Sequence, residues 1–257
     1  MIPALFIGHG APGLVLEDNE YTELLKGYGK TIPTPKAIVI FSAHYESDIQ
    51  LIGASSSYDM IYDFHGFPRE LYDIKYNAGS NVAMAERVQL LLEKHNIASK
   101  LDYTRGIDHG AWTILKLMYP KADIPVITMS VNPRLSSEEQ YNIGNALELL
   151  KAEDVLIIAS GGIVHNLSTV RFKAGDRVDE WAISFNEWIK MRVEHWDLEE
   201  LFNYETQAPY AKVAVPRNEH FINLLIAMGA GHSSREAKLV KCIYQLGNLS
   251  LDFFSFK

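Results

Sequence analysis

Residues 5–12 read LFIGHGAP, where Leu5, Phe6 and Ile7 run straight into Gly8-His9-Gly10 and Pro12 closes the turn. Three large apolar residues in a row predict a strand buried on both faces. A glycine on each side of an imidazole bares the backbone around it. A core histidine has no use for that, whereas a histidine that must face a ligand or a metal from a tight turn does. The same pattern recurs along the chain. AIVIFSA (37–43) leads to His44, and VLIIASGG (155–162) leads to His165, with Gly161 and Gly162 read as turn glycines like Gly8 and Gly10. Further β-rich runs are expected at 4–8, 49–54 and 125–130.

Helical patterns lie between these runs, at about 18–28, 80–95, 109–118, 136–151 and 177–195. In the second of them Val82, Ala85, Val88, Leu91 and Leu92 share one face. Strand–helix alternation predicts an α/β fold, a single domain over 1–257 with a central, mostly parallel sheet flanked by helices. The last segments, AKLVKCIYQLG and LSLDFFSF, read as a hairpin at a sheet edge. In such sheets ligands collect beyond the carboxyl ends of the strands, which is where His9, His44 and His165 are expected.

Composition narrows the function. The 257 residues carry a formal net charge of −8, with no basic surplus to neutralise phosphates, so nucleic acid is not an expected partner. A lone cysteine, Cys242, excludes an intrachain disulfide and a thiolate metal site, and reads as a small buried apolar residue. Neither a secretory leader nor a membrane-spanning run is legible, so the expected location is cytoplasmic and away from membranes.

Nine histidines are present. Besides the three at strand ends, His220 lies in VPRNEHFINLLIAMG, where Phe221, Leu224, Leu225 and Met228 predict an amphipathic helix with Glu219 and His220 in its first turn. Adjacent helical residues diverge by about 100°, so one of the two is expected to reach a shared centre. His109 opens a further helix, in GIDHGAWTILK. His65, His95, His195 and His232 are read as outside the site. Imidazoles without thiols suit iron, zinc, copper or nickel, and three or four from distant segments leave coordination positions open for catalysis. No dinucleotide fingerprint, phosphate-binding loop, zinc-protease helix motif or nucleophile elbow is present.

Taken in order, HGAP, SAHY, YDFHGFP, DHGAW, SGGIVHNL and NEHF resemble the motifs of class III extradiol ring-cleavage dioxygenases, in particular the 4,5-DOPA extradiol dioxygenase branch. The resemblance covers nearly the whole chain. It implies an α/β domain with a metal at the strand ends, held by His9, His44 and His220. It also implies His165 as acid/base and, with zinc bound, as a further ligand, and His109 as another active-site histidine. Related protocatechuate-cleaving enzymes complete their ligand set with a glutamate, which makes Glu219 the alternative to His220. The expected substrate is a catechol-type small molecule, DOPA-like, used together with O2. Fe(II) is expected for activity and Zn(II) in the purified protein. Tyr62, Phe64, Phe67 and Trp112 are expected to form the apolar wall against which the ring lies. His65 stands where related sequences often carry a small or aromatic residue, a departure that bears on substrate identity. A zinc-dependent hydrolase on the same histidines is the alternative expectation, and a metal-binding protein without turnover a third.

Overall fold

The computed structural model describes residues 2–172, 175 and 177–257. Its eight strands are β1 (Ala4–Gly8), β2 (Ala37–Glu46), β3 (Gln50–Gly53), β4 (Ser99–Asp102), β5 (Val126–Val131), β6 (Val155–Gly161), β7 (Ala237–Gln245) and β8 (Leu249–Phe256). They form one sheet in the order β4-β3-β5-β2-β6-β1-β8-β7. The centre, β5-β2-β6-β1, is parallel. β8 runs antiparallel to β1 and brings β7 in as a hairpin edge. At the other side β3 is antiparallel to β5 and parallel to β4. The α/β fold with a mostly parallel sheet covered by helices is therefore the one the sequence predicts.

The apolar runs explain why the centre holds. In β1, Ala4 and Phe6 point to one face and Leu5 and Ile7 to the other, and all four are fully buried. The first face packs under the helices Val82–Lys94, Ser137–Leu147, Glu180–His195 and Ile222–Gly229, the second under Glu20–Tyr28 and His109–Met118. Leu5, Phe6 and Ile7 each contribute about 1.5–3 kcal/mol when buried. The strand ends are thus fixed from both sides.

Three differences from the sequence reading have physical causes. β4, with sequence SKLD, is short, polar and at the sheet edge, so neither alternation nor apolar content announces it. β2 continues past residue 43 to Glu46, with its register to β5 shifting between Phe41 and Glu46. Such irregularities re-aim side chains, and His44 lies inside this one. The helix expected to carry Glu219 and His220 begins only at Ile222 and is buried on every side, not amphipathic, because it packs between the sheet and the Ser137–Leu147 helix. Glu219 and His220 occupy the turn before it.

Candidate metal centre

β2, β6 and β1 are parallel neighbours, so the segments leaving their carboxyl ends meet at one rim. His9 follows β1 directly, and its backbone N–H donates to the Gly161 carbonyl at 3.2 Å. The turn relies on Gly10, whose φ of +60° a side chain would strain. His165 lies four residues beyond β6, with its N–H donating to the Ala214 carbonyl at 3.0 Å. The His220 carbonyl accepts from Gly162 N–H at 3.2 Å. A Cβ on Gly161 would stand 2.1 Å from that oxygen. Gly161 thus serves close backbone approach, not the sharp turn expected from the sequence.

A ring nitrogen from each of His9, His44 and His220 lies within 4.8 Å of the other two. Their outward nitrogens show which atoms face inward. Ser160 spends its only hydroxyl proton on the Gly110 carbonyl, so toward His9 Nδ1, 3.0 Å away, it can only accept. His44 Nδ1 faces Asp63 Oδ2 at 3.4 Å, and His220 Nδ1 faces Glu219 Oε1 at 3.3 Å. Carboxylates accept as well, so all three Nδ1 atoms carry the proton and all three Nε2 atoms present lone pairs. His9 Nε2 and His44 Nε2 then face each other at 3.1 Å. Among the described residues, His220 Nε2 is buried with no hydrogen-bond partner. Opposed lone pairs and an orphaned imidazole nitrogen describe a cation site. Two imidazoles at about 2.1 Å from one metal stand about 3 Å apart at near-right angles. The donor set fits a divalent transition metal, and Glu219 Oε1 lies against His220 Nδ1 while also forming a group of possible ligands with His165 and His220.

Two further histidines border this group. The His165 ring stacks on His220, with centroids 3.5 Å apart and planes 8° from parallel. His109, the first residue of its helix, is buried with its ring centroid 4.0 Å from that of His44. Its Nδ1 donates to Asp63 Oδ1 at 2.7 Å, so the neutral ring offers an acceptor at Nε2 and donates there only as imidazolium. Sequence reasoning missed Asp63, although YDFHGFP drew attention to its aromatic neighbours. An acid set among them was the available signal. Phe64 meets His109 edge-on at 5.7 Å and Phe67 at 5.4 Å. Tyr62 packs on Phe64, while Trp112 is fully buried beneath both and donates its indole N–H to the Ile61 carbonyl at 3.2 Å. His65 is exposed and outside the cluster.

Burial pushes His9, His44, His165 and His220 toward their neutral form. His9 and His220 lie well below the ordinary value, first through burial and then through their histidine neighbours. His44 and His165 fall to about 4, again mainly through burial. Burial alone would raise the Asp63 carboxyl, but the hydrogen bond from His109 and the nearby imidazoles hold it at about 2. A histidine depressed in the folded state favours folding fully above its unfolded value, here 6.5, and less as pH falls, because the unfolded chain then binds protons that the native state refuses. The metal-free protein should therefore lose stability between about pH 6.5 and about pH 4. Thermal unfolding at pH about 7.5 and about 4.5 checks this, and an unchanged midpoint would contradict it.

The family described as the catalytic LigB subunit of aromatic ring-opening dioxygenase matches residues 4–250. A protein of Beta vulgaris named 4,5-DOPA dioxygenase extradiol is 40% identical over 98% of this chain and 95% of its own. One of the same name from Escherichia coli K12 is 36% identical over 97% and 93%. A crystal structure of an uncharacterized protein from Escherichia coli K12 superposes with a TM-score of 0.86 at 33% identity, covering 100% of both chains. These matches leave the hydrolase alternative without support. With its histidine cluster at the strand ends, the chain belongs to the LigB family of aromatic ring-opening dioxygenases and is an extradiol dioxygenase.

Proposed function

We propose that residues 1–257 form one catalytic domain that opens the ring of a DOPA-like catechol next to its two hydroxyls, with O2 as cosubstrate. The observation that carries this reading is the convergence of three Nε2 lone pairs beside two more histidines and an aromatic wall. The names of the relatives point to the same substrate class. His9, His44 and His220 would hold Fe(II). When bound, that metal supplies open positions where catechol and O2 meet and lowers the pKa of the catechol hydroxyls. Zn(II) suits the same neutral imidazoles and is expected in aerobically purified protein, with His165 as the nearest further donor.

The chain's own groups handle orientation and protons. His165 is neutral at physiological pH, so it can take a proton from a substrate hydroxyl and return it later in ring opening. Stacking on His220 fixes its plane. His109, held by Asp63, accepts a hydrogen bond from the substrate at Nε2 and donates once protonated. Phe64, Tyr62 and Phe67 form the wall for the aromatic ring, and Trp112 supports the loop from below.

The test is a catechol panel, L-DOPA included, with protein loaded anaerobically with Fe(II) and then exposed to oxygen. Oxygen uptake should accompany a yellow semialdehyde product. A catechol with one hydroxyl methylated should turn over poorly, because it has lost one of its two ionisable oxygens. Cleavage between the hydroxyls, or equal turnover of the methylated compound, would contradict the reading.

A further inference from the structure

We infer that Asp63 is a positioning residue whose single carboxylate fixes the tautomers of His44 and His109 together. The inference rests on the metal-dependent ring-opening reading above. Asp63 Oδ2 lies 3.4 Å from His44 Nδ1. Its Oδ1 lies 2.7 Å from His109 Nδ1 and 3.2 Å from the His109 backbone N–H. The two imidazoles it holds are adjacent, with centroids 4.0 Å apart. No lysine or arginine among the described residues forms an ion pair with Asp63, and the nearby Arg105 is committed to Asp108 and the His44 carbonyl. Its side chain keeps 24% of its exposure, with His109 hydrogen-bonded to it and His44 as its second close contact.

A carboxylate has no proton to give, so both Nδ1 atoms must carry one. His44 is then left with its Nε2 lone pair toward His9, as a metal ligand requires. His109 is left with its Nε2 lone pair for the substrate. One acid thus aligns a ligand and a substrate-facing histidine. It sits in the Tyr62–Phe64 segment, so the loop that supplies the aromatic wall also sets the protonation pattern of the metal centre. Trp112 Nε1 on the Ile61 carbonyl and Tyr62 Oη on the Ile74 carbonyl hold that segment in place.

Asparagine separates this role from mere space filling. It offers one acceptor oxygen and an NH2 that only donates. An NH2 facing Nδ1 forces the proton to the other ring nitrogen, which for His44 abolishes the ligand lone pair. His44, Asp63 and His109 also lie close enough to hold a cation themselves, but that would require both Nδ1 atoms to be unprotonated. Metal counting decides between the two arrangements.

The experiment compares wild type with Asp63→Asn and Asp63→Ala, metal-free for the spectra and zinc-loaded for the affinity. Long-range 15N spectra should show Nδ1–H on both His44 and His109 in wild type, and a shift to Nε2–H on at least one of them in Asp63→Asn. Chelator competition should show zinc held about 10–100-fold more weakly by both variants. Wild type should bind one zinc per chain. Unchanged tautomers and zinc affinity in Asp63→Asn, or a second zinc in wild type that Asp63→Asn loses, would overturn the inference. The tautomer measurement needs neither catechol nor turnover, so failure of ring opening in wild type is a separate result.

Discussion

Replacing His165 with alanine should slow ring opening by about 10²–10⁴-fold, the usual scale for losing a general acid/base, while the protein still binds one Fe(II) per chain. His165 does not belong to the group formed by His9, His44 and His220, although it forms a second one with Glu219 and His220, so its removal leaves the three histidine donors in place. What disappears is a neutral imidazole lying flat on His220 at 3.5 Å. Because burial holds His165 at about 4, the base is already unprotonated when substrate arrives, and the acid limb of the wild-type rate profile should lie below the ordinary histidine range. In His165→Ala that limb should change along with the rate. Metal content and single-turnover kinetics on the Fe(II)-loaded variant separate the two roles. A normal rate would remove His165 from the proton pathway, and loss of iron would make it a ligand instead.

Much of this architecture is legible in short windows. Apolar runs ending in small residues mark β1, β2 and β6, and their helical connections imply that these strands run parallel. It follows that His9, His44 and His165 share a rim. The supporting shell cannot be read this way, since its contacts span long stretches of sequence. Asp63 meets His109 across 46 positions, and Ser160 meets His9 across 151. Periodicity reports burial of a face, not the partner of a polar atom. β4 escapes for a related reason, being polar and defined only by its pairing with β3. Cys242, expected in an apolar setting, instead lies 3.4 Å from the Asn186 side-chain amide, which also donates to the buried Asp252. These polar neighbours lie 56 and 10 residues away in the sequence.

Substituting any one of His9, His44 or His220 with alanine should strip the metal and abolish ring opening, whereas Glu219→Gln should only weaken binding. Each histidine contributes one of three ring nitrogens that lie within 4.8 Å of one another, and a two-imidazole remnant has lost a third of that donor set. The loss should exceed the roughly 10–100-fold that follows from deleting a group behind a ligand. Glu219 is such a group: its Oε1 lies 3.3 Å from His220 Nδ1, and its Oε2 lies 3.3 Å from Arg217 Nε. A glutamine can still accept from Nδ1 through its one carbonyl oxygen, so His220 should keep a usable lone pair in part of the population. The contrast between neighbours one residue apart therefore identifies the ligand. If Glu219→Gln empties the site as completely as His220→Ala, the carboxylate is bound to the metal and the hydrogen-bonding assignment at His220 must be reversed. If His220→Ala retains a full complement of iron, the third ligand lies elsewhere. The expected order, with His220→Ala near zero occupancy and Glu219→Gln intermediate, can be read from metal content at a fixed chelator concentration before any catechol is added.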